Sequence, residues 1–260
     1  YQYHLFLRGL MDTLYLVPEV VRVSPYKTAG DMVLNKEMSS EMVENYTQLL
    51  NDFYQIMLED IANGRDWSIT QTNTVIENGP YYITDKAITA GLVDSTMYPD
   101  QFDDFLDNKK NHLIYWSEIQ PNNYYIHDWN PDTTPKIAII YAVGGIMSGE
   151  SNPGPNGSTV MGDKTITEAI KSARENDNIK AIVLRIDSGG GSVLASDMIW
   201  REIEKTTNEN SDNKKPVIVS MSDIAASGGY YIGCEADYIM SDPTTVTGSI
   251  GVIWVRINFS

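Results

Sequence analysis

Residues 182–192 read IVLRIDSGGGS, an apolar, β-branched run that ends in three consecutive glycines. Such a run followed by a tight turn is typical of a buried strand that leads into a helix. A second run, PVIVSM at 216–221, leads in the same way to AASGGYY at 225–231. Ligands bind at the carboxyl ends of the strands in open α/β sheets, where neighbouring parallel strands meet at one edge. The two turns therefore predict one shared site.

Strands and helices alternate outward from these two runs through the second half of the chain. The pattern predicts strands at 137–143, 181–186, 217–221 and 238–240, with helices at 165–176, at 192–205 and from 227 onward. Repeated βα units at this spacing predict an α/β fold with a parallel sheet and right-handed crossovers.

The first half has a different pattern, with more helix than strand. Apolar spacing predicts a helix within 1–16, a strand at 20–23, a long helix from the N-cap Ser39 to about Gly64, and shorter helices at 85–92 and 99–106. A polar, Asn- and Pro-containing stretch follows and predicts a linker at 108–135. The predicted domains are therefore 1–107 and 136–260.

Composition narrows the class of function. The chain has 260 residues and a formal net charge of −16, and phosphate binding needs clustered Lys and Arg, so nucleic acid is not an expected partner. A single cysteine, Cys234, excludes an internal disulfide and is predicted to be a small buried residue. No apolar run is long enough to span a bilayer. The chain begins without Met and stops within an apolar run, which predicts a fragment of a longer protein.

Ser227 is the candidate nucleophile. In Ala-Ala-Ser-Gly-Gly its hydroxyl has room for a substrate, and the Gly228 N–H can point at a developing oxyanion. The alternative is that Ser227 only caps the helix that follows. Gly189-Gly190-Gly191 is open to a similar choice, because glycine-rich turns also bind phosphates. Its spacing is not GxGxxG and no Gly-Lys-Ser/Thr follows, so an oxyanion hole is the better interpretation.

A serine nucleophile needs a base. The three histidines do not suggest a triad, since His127 lies in the predicted linker and nothing near it completes one. A lysine whose pKa is lowered by burial is an alternative base. Residue spacing alone does not choose among the lysines.

The second half resembles the family of signal peptide peptidase A (protease IV), membrane-associated serine proteases of the ClpP/crotonase superfamily. The resemblance rests on segments 180–188, 190–192, 215–221, 225–231 and 247–252, and the Ala-Ser-Gly-Gly-Tyr and Thr-Gly-Ser-Ile-Gly pair is highly specific. The first half is similar to the later part of an earlier copy of the same unit. The resemblance thus implies a ClpP/crotonase-like fold with two incomplete tandem repeats.

The resemblance also implies the residue roles that spacing leaves open. Residues 22–29, RVSPYKTA, are similar to the segment that holds the family's general-base lysine, which makes Lys27 the base and Ser227 the nucleophile. The alternative for Lys27 is a solvated loop lysine. The expected oxyanion donors come from Gly190, Gly191 and Gly228. Candidate walls of the substrate site are Gly145, Ile146, Ser249 and Ile250.

One departure from the family pattern lies in the first turn. The family usually has Asp-Ser-Pro-Gly-Gly where this chain has Asp-Ser-Gly-Gly-Gly at 187–191. Loss of the proline raises the entropy of the unfolded chain, by about 0.5–1 kcal/mol in free energy. We expect a looser oxyanion hole with its N–H groups still available.

The implied activity is that of a Ser/Lys-dyad endopeptidase acting on apolar peptides such as remnant signal peptides, with no metal or other cofactor. The resemblance further implies a homo-oligomer on the extracytoplasmic side of a membrane, held by an anchor upstream of Tyr1. Two alternatives remain open at this point. One is a crotonase-type acyl-thioester enzyme, whose glycine oxyanion hole would be the same. The other is a non-catalytic peptide-binding fragment.

Overall fold

The computed structural model describes residues 4–108, 135–154, 157–208 and 213–259. Its helices are α1 (Arg8–Thr13), α2 (Asp31–Leu34), α3 (Ser40–Arg65), α4 (Ile69–Glu77), α5 (Thr84–Thr89), α6 (Pro99–Asn108), α7 (Asp163–Glu175), α8 (Val193–Thr207) and α9 (Gly228–Tyr231). Its strands are β1 (Leu16–Arg22), β2 (Lys136–Val143), β3 (Gly145–Met147), β4 (Asn152–Pro153), β5 (Thr159–Gly162), β6 (Ile179–Ser188), β7 (Val217–Ala226), β8 (Tyr238–Met240), β9 (Val246–Gly248) and β10 (Ile253–Phe259).

The main sheet confirms the predicted α/β fold class. It has five strands, in the order β2-β6-β7-β8, with β9 paired to residues 224–226 at the carboxyl end of β7. Every pair in it is parallel. A three-stranded sheet of β3, β5 and β4 accompanies it. The two apolar runs singled out in the sequence, β6 and β7, are neighbours at its centre, so their carboxyl ends lie side by side.

The core lies on one face of this sheet. Alternate residues of β6 point inward, so Ile182, Leu184 and Ile186 are fully buried. They pack with apolar side chains of the neighbouring strands and of α7 and α8, among them Ile170, Val219, Ile199 and Ile203. Burial of this many apolar side chains is the main force that fixes the two strands next to each other.

The elements on either side of Ser227 differ from their predicted bounds in ways that matter for the site. The strand β7 continues to Ala226, five residues beyond the predicted end, and delivers Ser227 to the sheet edge. The helix predicted from Ser227 is a single turn, Gly228–Tyr231. The long helix α3 is confirmed, and Ser39 Oγ accepts from the Met42 N–H, 3.2 Å away, as an N-cap does.

A two-stranded ribbon joins residues from opposite ends of the chain. Strand β1 pairs antiparallel with β10, from Leu16 opposite Phe259 to Arg22 opposite Ile253. Pro18 lies inside β1, where a two-stranded ribbon tolerates a residue without an N–H. Because β1 immediately precedes the loop that holds Lys27, this ribbon fixes where that loop begins.

The chain forms two compact units. One comprises Tyr1–Asn51 together with Thr133–Ser260, and the other comprises Asp52–Asp132. Contacts therefore group the start of the chain with its second half. The predicted domain bounds describe sequence repeats, which these contacts do not test, and 109–134 of the predicted linker lies outside the described residues.

The smaller unit is helical. Leu58 and Ala62 of α3 are buried, and Arg65 at the end of that helix pairs with Asp94 at 2.5 Å. The Arg65 guanidinium also donates to the Leu92 carbonyl, 2.8 Å away. Helix α4, which the sequence pattern did not predict, begins with Ser68 as its N-cap.

Candidate active site

Ser227 follows the last residue of β7 in a backbone conformation that serine rarely adopts. Its φ is +52° and its ψ −119°. The Ser227 N–H donates to the Gly248 carbonyl at 2.8 Å, which holds this turn against the end of β9. Its side chain makes no capping hydrogen bond to α9, so the helix-cap alternative lacks its defining contact. Strained serines of this kind occur at functional sites, where surrounding structure maintains them.

Lys27 reaches Ser227 from the loop after β1. Its Nζ lies 3.1 Å from Ser227 Oγ, although the two residues are 200 positions apart in sequence. The lysine is 6% exposed, which rules out the alternative of a solvated loop lysine. Burial disfavours the charged ammonium and lowers the pKa of Lys27 from its ordinary value. The site thus combines a hydroxyl with an amine that is more easily deprotonated than an exposed lysine.

The loop that carries Lys27 is fixed by a buried ion pair. Arg22 Nη1 lies 2.7 Å from Asp31 Oδ1, and Asp31 is fully buried. Ser39 Oγ donates to the other carboxylate oxygen at 2.5 Å. The Lys27 N–H donates to the Ser24 carbonyl at 3.1 Å, which closes the turn. These contacts tie the loop to β1, α2 and the start of α3, so the Lys27 backbone has little freedom to move.

Ser249 contacts Lys27 directly, a contact that sequence reasoning missed. Lys27 Nζ lies 2.5 Å from the Ser249 carbonyl oxygen and 2.9 Å from its Oγ. Ser249 has φ +48°, an unusual value for a non-glycine residue. A neutral amine has two N–H groups and one lone pair, so two bonds to Ser249 leave the lone pair for Ser227 Oγ. The sequence signal lies in Thr-Gly-Ser-Ile-Gly at 247–251, which carries part of the family resemblance and supplies two candidate wall residues, Ser249 and Ile250.

We expect Ser249→Ala to lower kcat by up to about 100-fold, because the Lys27 amine loses one of the two contacts that orient it. KM should change less than kcat, since the hydroxyl that is removed contacts Lys27 and the Ser249 carbonyl contact remains. Steady-state kinetics on an apolar peptide substrate measure both values. Ser249→Gly is the matched variant, since it also removes the hydroxyl but relieves the positive φ. An unchanged kcat in both variants would contradict the orienting role.

The glycine turn after β6 lies against Ser227 and Gly228. A Cβ on Gly190 would come within 2.6 Å of Gly228 N, and one on Gly228 within 3.2 Å of Gly191 N. The Gly190 N–H is already used, since it donates to Ser188 Oγ at 3.1 Å. Within the described ranges, no acceptor is recorded for the N–H of Gly191 or Gly228. The hydrogen bond from the Gly190 N–H to Ser188 Oγ thus does not favour the oxyanion-donor role predicted for Gly190. The N–H groups of Gly191 and Gly228 have no such bond within the described residues.

Two adjacent glycines in this turn should respond in opposite ways to alanine. Gly189→Ala should raise the free energy of unfolding by about 0.4–1 kcal/mol, because its Cβ would meet only Ile224 Cδ1 at an ordinary 3.6 Å. Gly190 has φ +96°, and its Cβ would strike the Gly228 amide, so Gly190→Ala should lower both stability and hydrolysis. Chemical denaturation and peptide hydrolysis of both variants check this. Equal effects would contradict the assigned geometry.

A cavity of about 360 Å³ opens beside Ser227. We call it the nucleophile cavity; Ser227, Gly228 and Gly191 line it, and Val193, Tyr231, Ile250 and Val252 form apolar walls. The Tyr231 hydroxyl donates to Asp197 at 2.7 Å, a bond that raises the pKa of Tyr231 to about 12 and fixes the ring. Cys234 also lines this cavity and is exposed. Its predicted burial is therefore wrong, because α9 ends before it and leaves it at the surface.

The four predicted wall residues separate into two pairs. Ile250 lines the nucleophile cavity, and Ser249 contacts Lys27 directly. Gly145 is exposed on β3 and Ile146, 1% exposed, belongs to the core. The Ile146 main chain pairs with the glycine turn, through N–H donation to the Gly190 carbonyl at 3.0 Å. Neither β3 residue lines the nucleophile cavity, so their substrate-binding role stays a prediction.

In the part of the chain that the structure describes, no three side chains of His, Cys, Asp or Glu come together as a metal site would require. Across the same ranges, no helix has the length and apolar character needed to cross a membrane.

The model of peptidase family S49 matches residues 1–112 and 209–260. These ranges include Lys27 in the first segment, and Ser227 and Ser249 in the second.

Individual relatives are similar over nearly the whole chain. The serine protease SPPA, chloroplastic, of Arabidopsis thaliana is 34% identical over 98% of this chain and 38% of its own length. Protease 4 of Salmonella typhi is 34% identical over 96% of this chain and 41% of its own. Protease 4 of Haemophilus influenzae is 30% identical, with 96% and 42% covered. The chain thus spans about two fifths of the length of these relatives.

Among solved structures, a ClpP1 mutant from Listeria monocytogenes matches 38% of this chain and 46% of its own. The sequence identity is 23% and the TM-score 0.26, a likeness too slight to bear on the site.

Proposed function

Because the chain belongs to peptidase family S49, we propose that it carries the active site of a serine endopeptidase with a Ser227–Lys27 dyad. The observation that supports this most directly is the 3.1 Å separation of Lys27 Nζ and Ser227 Oγ. A hydroxyl and a buried amine at hydrogen-bond distance are the two groups that acyl transfer requires. An acyl-thioester mechanism that uses only the glycine turn would not need this contact between Lys27 and Ser227.

Acylation begins with proton transfer from Ser227 to Lys27. Neutral Lys27 accepts the hydroxyl proton through the lone pair that the Ser249 contacts leave available. Ser227 Oγ then forms a bond to the carbonyl carbon of the scissile peptide. The lysine proton passes to the amide nitrogen, the C–N bond breaks, and the amine product leaves.

The tetrahedral intermediate needs donors at its oxygen. The N–H groups of Gly191 and Gly228 are unengaged within the described residues, and both glycines line the cavity beside Ser227, so we assign the oxyanion hole to them. Loss of one such donor costs roughly 3–4 kcal/mol of transition-state stabilisation. The lack of a side chain at Gly190 leaves room for the Gly228 amide, whose nitrogen a Cβ there would approach to 2.6 Å.

Deacylation reverses the same steps with water in place of the amine. Lys27 takes a proton from water, the hydroxide attacks the acyl carbon, and the proton returns to Ser227 Oγ as the ester bond breaks. The nucleophile cavity is lined mainly by apolar side chains and has room for one of similar character. We therefore propose extended apolar peptides as substrates, of which remnant signal peptides are one class.

The pH dependence of Ser227 modification tests this function. Labelling by a fluorophosphonate should accelerate as pH rises and Lys27 loses its proton, with an apparent pKa below the ordinary lysine value of 10.5. The direction follows from burial, which disfavours the ammonium. Mass spectrometry of the labelled peptide over pH 5 to 10 measures the rate and the site. A rate independent of pH, or a label elsewhere than Ser227, would contradict the dyad.

We also propose, on family membership alone, that the whole protein acts at the extracytoplasmic side of a membrane as a homo-oligomer. Fractionation of cells that express the full-length protein, followed by protease protection of intact vesicles, checks the location. Light scattering of the detergent-solubilised protein gives the oligomeric state. Recovery in the soluble cytoplasmic fraction would contradict the location.

A further inference from the structure

A second, larger cavity lies on the Lys27 side of the dyad. Its volume is about 740 Å³, against about 360 Å³ for the nucleophile cavity. We call it the lysine cavity; Lys27, Ser249 and Thr247 form one wall, and the start of α3 and the residues before α1 form others. Ile250 lines both cavities, so they adjoin there on the two sides of the reacting groups.

We propose that the lysine cavity binds the side chain on the leaving-group side of the scissile bond, and that it selects a large uncharged apolar residue there. This inference rests on the proposed peptidase function. The product amine receives its proton from Lys27, so the residue that carries it must lie within reach of Lys27 Nζ. Lys27 lines this cavity, whereas Ser227 and the oxyanion donors Gly191 and Gly228 line the other.

The division of the reacting groups between two cavities gives the direction of the peptide. The carbonyl carbon bonds to Ser227 and its oxygen points to Gly191 and Gly228, so the acyl residue lies beside the nucleophile cavity. The amine nitrogen lies on the opposite side of the scissile bond, towards Lys27. A chain in extended conformation would then pass Ile250 between its acyl and leaving-group residues.

The chemistry of the lysine cavity favours an apolar occupant. Leu5, Phe6, Met32, Met42 and Leu49 supply its apolar lining, and uncharged polar residues, among them Ser24, Asn45 and Thr247, line it as well. No Asp, Glu or Arg is among its described lining residues. A basic side chain bound there would therefore have no partner of opposite charge, and an acidic one would have only Lys27. Methionine side chains adapt to different apolar shapes. The His4 and Tyr46 rings in its lining pack with centroids 4.5 Å apart, which adds an aromatic surface.

Nucleophile competition during deacylation tests the proposal. By microscopic reversibility, an amine that attacks the acyl-enzyme binds where the leaving amine departs. The amine nitrogen bonds to the acyl carbon, its proton passes through Lys27 to Ser227 Oγ, and the ester bond breaks. With a peptide 4-nitrophenyl ester as acyl donor, phenylalaninamide should capture the acyl group roughly tenfold or more better than glycinamide.

Two variants on the same helix provide the matched comparison. Leu49→Trp fills the lysine cavity and should reduce the preference for phenylalaninamide to near parity. Leu50→Trp changes the neighbouring residue, which is 55% exposed and does not line the cavity, and should leave the preference intact. Met32→Trp, at a position 43% exposed, is a second filling variant that does not depend on tolerance of the Leu49 site.

Equal capture of the two amines by the unmodified enzyme would overturn the proposal, as would an unchanged preference in both filling variants. These results differ from failure of the peptidase function itself, which would appear as no 4-nitrophenol burst and no acyl-enzyme by mass spectrometry. A measured acyl-enzyme without amine preference therefore rejects only the leaving-group assignment.

Discussion

Ser227→Ala is expected to abolish peptide hydrolysis and fluorophosphonate labelling, with a loss of about 10⁶-fold in kcat. The alanine lacks the oxygen that forms the acyl-enzyme, and the remaining oxyanion donors stabilise only the uncatalysed attack by water. The fold should persist, because the backbone bond from Ser227 N–H to the Gly248 carbonyl does not involve the side chain. Hydrolysis of an apolar peptide by the full-length protein, together with a thermal melt, measures both.

Ser148→Ala is the matched control, since Ser148 is exposed and lies after β3 rather than at the dyad. It should keep full activity and full labelling. Undiminished peptide hydrolysis by Ser227→Ala would reject the nucleophile. Hydrolysis of an acyl-CoA that survives Ser227→Ala would instead favour the crotonase-type alternative.

Lys27→Met is expected to lower kcat by about 10²- to 10⁴-fold, the range that a positioned general base contributes. Methionine keeps the apolar length of the lysine stem but has no lone pair of comparable basicity. The residual activity should also lose its rise with pH. A pH–rate profile of kcat/KM for the two proteins shows both effects, and a profile that keeps its shape in Lys27→Met would assign the base elsewhere.

Stability measured against pH gives an independent check on Lys27. Burial lowers its pKa in the folded state, so between that value and 10.5 the unfolded chain binds more protons than the folded one. The free energy of unfolding of the unmodified protein should therefore rise, relative to Lys27→Met, as pH is raised through this range. A relative stability that falls with rising pH would mean that the folded state favours the ammonium.

Lys215 is the appropriate comparison, because it too is a buried lysine with a pKa lowered by burial. Its Nζ donates to the Ala173 and Asn176 carbonyls at 2.7 and 2.6 Å and so stabilises the end of α7. Lys215→Met should lower stability but leave the pH–rate profile of the remaining folded protein unchanged. The two variants separate a catalytic lysine from a structural one.

The main sheet was predictable because its signal is local. Continuous β-branched runs and glycine turns gave strands at 181–186 and 217–221, and both are present as the longer β6 and β7. Periodicity did not predict β10, because its apolar run Ile253–Phe259 pairs with a strand near the other end of the chain. Helix α9 is one turn long, and the chain after it continues with i→i−3 hydrogen bonds from the N–H groups of Gly233 and Cys234.

The candidate site was only partly accessible to sequence reasoning. The room around Ser227 could be inferred from its Ala and Gly neighbours. Residue spacing could not select Lys27 as the base, because the loop that brings it to Ser227 is held by a tertiary contact, the Arg22–Asp31 ion pair. The assignment of Lys27 came from the family resemblance instead. The orienting contacts of Ser249 and the engaged N–H of Gly190 are properties of backbone geometry, which no local pattern encodes.

The ribbon of β1 and β10 has a consequence for the timing of activity during folding. Ser227 belongs to a sheet made of residues close in sequence, whereas Lys27 is aligned by strands from opposite ends of the chain. Such distant pairings close late, because a long loop must first lose its entropy. A nascent or partly folded chain would then hold a serine without its base. The contact between Lys27 and Ser227 would then form only after the β1–β10 ribbon has closed.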